Sequence, residues 1–472
     1  MQTLIKNGTI ITEKATIRAD LLIGGEKIIQ ISDTIQTDSS ARIFDATGLL
    51  VLPGGVDVHV HLDLPMFGTV SSDDHYTGTK AAAFGGTTTV IDFVSQNSDN
   101  LLKNVKQLRE KAERNAAIDF GLHANITHLS TVVEKAIPSL VKEGITSVKV
   151  FTAYNNRLRL LDGEIFKVMR IARDNGILTM LHAENGDVIE LLVNEAIAEG
   201  HITPEWHSRT RPVWGSVEAV VRGSALSAIA NAPLYIVHMN AAGEVDQLEY
   251  ARKQGLNVMG ETCPQYLFFT EEDLKKPDGS KWICSPPVRK EEDQKRLWEG
   301  LLTGVIQTIA TDHCPFFYDG TKPIVYEDKP IAIPGKELGR NDFTKIPNGL
   351  PGVGDRMPVM WTEMVSSGRF SASQFVSLTC ANPARIFGMY PQKGTIQIGS
   401  DADLVIWDSN LIVNYGVAHS QQRTDYNLYE GWKLRGFPVQ VFSRGDLIVD
   451  RGNWLGKPGR GKYIHREPFV NQ

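Results

Sequence analysis

Between about residues 52 and 385, short apolar runs alternate with amphipathic segments, and this alternation restricts the fold more than any other feature of the chain. T-T-T-V-I-D-F (87–93) precedes L-L-K-N-V-K-Q-L-R-E-K-A-E-R (101–114). I-T-S-V-K-V-F (145–151) precedes G-E-I-F-K-V-M-R-I-A-R-D (163–174), and L-Y-I-V-H-M (234–239) precedes G-E-V-D-Q-L-E-Y-A-R-K (243–253). Near-continuous apolar strands separated by helices with one apolar face are the pattern of parallel βα units whose sheet is covered on both sides. About eight such units over this length point to an α/β fold, a (β/α)₈ TIM-like barrel. The rival is a doubly wound open sheet, but no G-x-G-x-x-G follows the first strand to support a dinucleotide-binding version of it.

The two chain ends have a different texture. L-I-K-N-G-T-I-I-T, A-D-L-L-I-G-G and E-K-I-I-Q-I-S near the start are short β-rich runs broken by turn residues, as are D-A-D-L-V-I-W-D and V-Q-V-F-S-R-G-D-L-I-V-D-R-G near the end. Neither piece alone can bury both faces of a sheet. Residues 1–51 and 386–472 are therefore expected to form one small β-sandwich domain together, with the barrel domain, 52–385, inserted between them. The stretch from Phe317 to Pro347, with Pro323, Pro330 and Pro334, fits neither texture and reads as a lid, an insertion or a subunit contact.

Composition excludes several functions. A net charge of −6 with pI near 6.1 and no basic block repels phosphate, so nucleic acid is not an expected partner. No run approaches the ~20 apolar residues that span a bilayer, so no membrane association is expected. Four separated cysteines without a C-x-x-C pair suit free thiols, and the first residues lack the n- and h-regions of a secretory signal. A cytoplasmic protein is the expectation.

Chemistry-bearing residues recur at the ends of the predicted strands. In G-G-V-D-V-H-V-H-L, His59 and His61 are two apart, which on a regular strand sets both imidazoles on one face with Val58 and Val60 on the other. Two such imidazoles suit a divalent metal, although an isolated H-x-H is as readily incidental. Lys149 sits inside the apolar S-V-K-V-F, where an ammonium is costly. It could reach solvent, pair with a carboxylate, or react with CO₂ to form a carbamate. His182 ends I-L-T-M-L, His238 ends L-Y-I-V, and Asp312 follows V-I-Q-T-I-A-T. Each alone is compatible with a core residue. Six such residues on five strand ends are not a plausible accident, because the C-terminal rim is where barrel enzymes gather catalytic groups.

With P-G-G-V-D-V-H-V-H, S-V-K-V-F-T-A-Y, H-A-E-N-G-D, G-E-T-C-P-Q-Y-L, T-D-H-C-P-F and I-P-N-G-L-P-G, the chain resembles the amidohydrolase superfamily, and within it the dihydropyrimidinase and D-hydantoinase family, over essentially its full length. The resemblance implies a barrel beside a β-sandwich and two divalent metal ions per subunit. These would be Zn²⁺ by family habit, with Mn²⁺ or Co²⁺ also compatible with the donors. It implies His59 and His61 on the more buried ion, His182 and His238 on the more exposed one, Lys149 as an N6-carboxylated lysine bridging both, and Asp312 as a further ligand of the buried ion. The substrate would be a small cyclic amide, a hydantoin or a 5,6-dihydropyrimidine, opened to an N-carbamoyl amino acid. A hydroxide bridging the metals would attack, with Asp312 as general base and then general acid. Tyr154 would hydrogen-bond the developing oxyanion, and Ser285 and Asn348 would hold the amide edge of the ring through backbone groups.

The family also implies a homo-oligomer, a tetramer or a dimer. Allantoinases and dihydroorotases share much of the ligand set, so an allantoinase-like ureide hydrolase is one alternative. A non-catalytic scaffold homologue is another, although such homologues have lost metal ligands that this chain retains. Leu64, Met66 and Phe67 after the first strand, and Phe151 with Leu158 around Tyr154, match the loops that select ring substituents. Leu158, in place of a bulkier aromatic, implies a roomier pocket. Cys314 reads as a neighbour of the site, and His201, His207 and His313 take no role.

Overall fold

The computed structural model describes residues 2–66 and 68–470. Eight parallel strands follow one another around a barrel in chain order: β1 (Gly55–Val60), β2 (Thr87–Val94), β3 (Asp119–Asn125), β4 (Ser147–Phe151), β5 (Leu178–His182), β6 (Leu234–Ile236), β7 (Val258–Thr262) and β8 (Thr308–Ile309). Every residue of β1, β2, β4, β5 and β7 is buried, which is what a parallel strand covered on both faces requires. The covering helices have the expected amphipathic form. In Asp162–Asp174, for example, Ile165, Val168, Met169 and Ala172 turn inward at spacings of three and four residues.

The seam between β1 and β8 carries no continuous ladder. One parallel bridge joins Val60 to His313, with His61 N donating to His313 O at 2.7 Å. Side chains complete the closure. The buried guanidinium of Arg356 donates to Val56 O on β1 (2.9 Å), to Ile309 O on β8 (2.8 Å) and to Thr87 Oγ1 on β2 (3.1 Å). Asp57 on β1 accepts from the backbone and hydroxyl of Thr311, at 3.2 and 2.7 Å. Closure by side chains leaves room for backbone irregularity at the rim, and β1 shows it. Its register against β2 shifts between Asp57 and Val60, so the strict alternation inferred from H-x-H does not hold. Val58 joins Val56, Ile91 and Phe93 in the interior cluster, and only Val60 packs outside. A bulge of this kind re-aims side chains at a barrel rim.

Nine strands drawn from both chain ends form a second, continuous sheet. Leu50–Pro53 pairs antiparallel with Leu404–Asn414, the link between its N-terminal and C-terminal parts. Its inner face buries Ile5, Ile10, Leu21, Leu404, Ile406 and Phe442. Lys393 anchors this sheet to the barrel, its ammonium buried among Asp119 of β3, Asp401 and Asp403 at 2.6–2.9 Å. The last residues then cross the N-terminal end of the barrel. Ile464 enters the interior cluster, and the Arg466 guanidinium, also buried, donates to Ser147 Oγ. With that end plugged, the interior opens at the C-terminal rim.

The Pro-rich stretch contains a small hairpin, Ile324–Tyr326 with Lys329–Ile331, turning at Glu327 and Asp328 with positive φ. Glu327 receives the Lys80 ammonium at 2.6 Å. No helix of the described residues is long and apolar enough to cross a membrane.

Arg356→Met deletes the donors that tie β1 to β8 and leaves buried carbonyls and Asp57 uncompensated. Breaking a buried charge network from one side costs on the order of 3–5 kcal/mol. Urea denaturation should show a midpoint lowered accordingly; an unchanged midpoint would mean that the seam does not depend on this guanidinium.

Candidate metal centre and active site

The end of β1 and the loop after β8 meet at the seam, and there His59, His61 and Asp312 converge. Asp312 Oδ1 lies 3.1 Å from His59 Nε2 and 3.2 Å from His61 Nε2, and one ligand atom from each of the three residues falls within 4.8 Å of the others. Lys149 reaches the same point from β4, its Nζ 2.9 Å from His59 Nε2 and over the Phe93 ring. From the neighbouring strands, His182 Nδ1 and His238 Nε2 face each other at 2.9 Å. All six residues therefore stand on one rim, as two adjoining groups.

Buried carboxylates outside that set fix the imidazoles. Glu261 on β7 is fully buried and bonds His59 Nδ1, while also accepting from His238 N (3.1 Å) and Tyr235 Oη (2.9 Å). With Nδ1 engaged by Glu261, His59 turns Nε2 toward Lys149 and Asp312. Glu184 does the same for His182: its Oε2 lies 2.8 Å from His182 Nε2 and 2.9 Å from Arg211 Nη1, leaving Nδ1 toward His238. Such carboxylate–histidine pairs orient metal-binding imidazoles and raise their basicity. Residue pattern alone gives neither glutamate a role: Glu261 stands out as an acidic residue inside an apolar strand, whereas Glu184 lies in the loop just after β5.

Backbone strain gathers at the same place. Asp312, His238 and Tyr154 all have positive φ (+53°, +41° and +65°), a region that non-glycine residues enter at a cost of about 1–3 kcal/mol. Asp57 holds the segment before Asp312 through Thr311, and Glu261 grips the backbone of His238.

The electrostatics fit a cation. Burial and the Lys149 ammonium press the His59 pKa down, yet Glu261 and Asp312 outweigh them and hold it above the ordinary value. Burial alone would raise Asp312, but the facing His59 and His61 keep its carboxyl well below the usual range. Burial lowers His61, His182 and His238, which favours their neutral form. His238 Nδ1 is buried with no hydrogen-bond partner. Burial also lowers the Lys149 amine, toward the uncharged, nucleophilic form. Neutral imidazoles, an ionised carboxylate and a reactive lysine make a donor set suited to divalent metal.

The cleft above this floor has a volume of about 260 Å³. Its lining includes His61, Lys149, His182, His238 and Asp312, with Tyr154, Ser285 and Asn348 around them; His59 lies fully buried beneath. Tyr154 packs on the His182 ring at 5.0 Å, and burial pushes its phenol above the ordinary pKa, so the hydroxyl stays a donor. Asn348 Nδ2 donates to Ser285 Oγ at 2.9 Å. Leu64, Met66, Phe151 and Leu158 form an apolar wall. Phe67 lies outside the described residues. None of the residues from 317 to 347 lines the cleft.

Cys314 borders the cleft, but burial holds its thiol well above the ordinary pKa, unlike an activated nucleophile. His313 is spent on structure, its Nε2 3.1 Å from Asp73 and its Nδ1 accepting from Gly352 N at 3.1 Å. His207 is buried behind Ser285, 2.8 Å from Cys284 O, and His201 stacks on Trp206.

The sequence profile of the Amidohydrolase family matches residues 50–448. A D-hydantoinase from Geobacillus stearothermophilus is 43% identical over 473 residues, 99% of this chain and 97% of its own. The crystal structure of a dihydropyrimidinase from Brevibacillus agri NCHU1002 superposes with a TM-score of 0.95 at 44% identity, covering 100% of both chains. An L-hydantoinase (dihydropyrimidinase) from Arthrobacter aurescens superposes with a TM-score of 0.87 at 28% identity, over 98% of this chain and 99% of its own.

Glu261→Gln keeps the size of the side chain and removes the charge behind His59. Divalent-metal affinity should weaken roughly 10–100-fold, as for other partners of metal-bound histidine. Competition against a chelator measures this, and unchanged affinity would show that the charge of Glu261 is not used.

Proposed function

The chain belongs to the amidohydrolase family, in its hydantoinase and dihydropyrimidinase branch, and on that premise we propose that it opens hydantoin or 5,6-dihydropyrimidine rings to N-carbamoyl amino acids. The observation that carries this reading is the convergence of two imidazole groups, a carboxylate and a buried lysine under a cleft rimmed by Tyr154, Ser285 and Asn348.

In this proposal His59, His61, Asp312 and Lys149 hold one divalent ion, and His182, His238 and Lys149 a second, with zinc the preferred metal. Two such ions supply, when bound, Lewis acidity at the scissile carbonyl and an acidified water. Lys149 acts as the N6-carboxylated form. Its uncharged amine adds to CO₂ and loses a proton, so that a cation 2.9 Å from His59 Nε2 becomes an anionic oxygen donor. An ammonium left in place would compete with the metals for the same carboxylates.

Asp312 accepts a proton from the attacking water and returns it to the ring nitrogen as the C–N bond breaks. Its low pKa keeps it ionised for the first transfer. Tyr154 donates to the oxyanion as the carbonyl carbon becomes tetrahedral. Ser285 and Asn348 hold the amide edge, and the wall of Leu64, Met66, Phe151 and Leu158 receives the ring substituent.

We further assign the protein to the cytoplasm, consistent with four free buried cysteines, and to a homotetramer, with a dimer as the alternative that sedimentation would reveal.

Asp312→Asn keeps an oxygen for the metal but cannot shuttle a proton. Single-turnover ring opening of hydantoin or dihydrouracil should slow by at least about 10²–10⁴-fold with little change in substrate dissociation constant. A fully metallated variant within a few-fold of wild type would remove Asp312 from proton transfer. Lys149→Ala should lose metal and activity together, and short carboxylic acids added to the medium should restore part of both. Wild-type turnover with both metals retained would refute the carbamate.

A further inference from the structure

Lys336 is 1% exposed, and its amine has no carboxylate partner among the described residues. Its Nζ donates instead to two backbone carbonyls, Ile283 O and Pro347 O, each at 3.0 Å. Ile283 lies two residues before Ser285, and Pro347 immediately precedes Asn348. Gly349 N also donates to Ile283 O, at 3.1 Å, so the two loops are stitched from behind while Asn348 Nδ2 and Ser285 Oγ meet in front at 2.9 Å. Lys336 is itself anchored, its backbone N donating to Phe317 O at 2.7 Å.

We propose that Lys336 is a positioning residue for the substrate ring: its terminal nitrogen sets the spacing between the Ser285 loop and the Asn348 loop, and hence between the two groups that hold the amide edge. The inference rests on the reading of Ser285 and Asn348 given above.

Burial of an amine this deep is costly, and a fold that needed only volume here would be served by an apolar side chain. What Lys336 adds is two N–H donors on one nitrogen at the end of a long stem. The titratable groups facing it are the Cys284 and Cys314 thiols, with His207 nearby. Burial pushes Cys284 up to about 12 and Cys314 well above its ordinary value, and holds His207 down to about 3, so none supplies a counter-charge at neutral pH. Burial accordingly lowers Lys336 to about 7. In either protonation state the amine has at least two N–H groups, enough for both carbonyls. The Pro-rich stretch thus reaches the Ser285 and Asn348 loops through the Lys336 side chain.

The test is a double-mutant cycle of Lys336→Met with Asn348→Ala, on the metal-loaded enzyme with dihydrouracil or hydantoin as substrate. Lys336→Met should raise KM about tenfold or more while kcat and metal content stay within a few-fold, the pattern of lost ring binding. In the Asn348→Ala background the same change should raise KM much less, because the Asn348 Nδ2–Ser285 Oγ contact across the same two loops is already gone. Lys336→Gln, which keeps two N–H donors on one nitrogen, should recover part of the loss and serves for the cycle if the Met variant does not fold. A KM within twofold of wild type in Lys336→Met, with Asn348→Ala raising it, would overturn the inference and leave the ring-binding reading standing. Fully additive effects would reduce Lys336 to general structural support and overturn it as well. An Asn348→Ala enzyme with unchanged KM would show that the contact between the two loops does not govern ring binding, and would overturn the inference.

Discussion

The rest of the structure depends on how the barrel closes. Strands β1 and β8 are some 250 residues apart in sequence, and only one backbone bridge joins their ends. The Arg356 guanidinium and the Asp57 carboxylate do what a ladder would otherwise do, using carbonyls of both strands and the hydroxyl of Thr311. Because Thr311 precedes Asp312 and Asp57 precedes His59 by two, the closure that completes the barrel also brings Asp312 against His59 and His61. Stability and site geometry share the same few polar groups, all buried where an unpaired member would be costly.

A second constraint is the orientation of the imidazoles. A histidine offers its lone pair from whichever ring nitrogen is not donating, and here buried carboxylates make that choice: Glu261 for His59, Glu184 for His182. Glu261 acts twice, through the ring of His59 and the backbone of His238, so one residue on β7 links both imidazole groups. Arg211 and His182 hold Glu184 down to about 2 against the effect of burial, which keeps it a carboxylate at any physiological pH. The positive φ values at Asp312 and His238 are tolerated because Asp57 and Glu261 tie down their segments.

The nine-stranded sheet and the C-terminal tail act at a distance. Lys393 among Asp119, Asp401 and Asp403 locks the sheet to the N-terminal end of the barrel, and Ile464 and Arg466 plug that end. Together they leave the opposite rim as the open end. There the cleft combines an apolar wall with a polar floor, and a ring with one amide edge and one substituent matches that division.

Periodicity by itself determined a parallel sheet covered by helices on both faces, while its closure into a barrel in place of a doubly wound open sheet was decided by the contacts between β1 and β8. The strand-end placement of His59, His61, Lys149, His182, His238 and Asp312 was equally open to reading, because residue type and position along a strand are local properties. Alternation on β1 misled for the converse reason: the shift between Asp57 and Val60 arises from pairing with β2 and closure onto β8, which no local pattern records. The roles of Glu261 and Asp57 needed the tertiary structure, for each acts on a partner from another strand, whereas Glu184 holds His182 from two residues away and needs Arg211 to hold it in turn. Lys336 is the extreme case. In sequence it is one lysine in a Pro-rich stretch without periodicity, and only the packing of two distant loops around it turns a charge into a buried pair of donors. Composition and pattern specify which groups are available and which elements carry them; which atoms face each other is settled by the closure of the barrel.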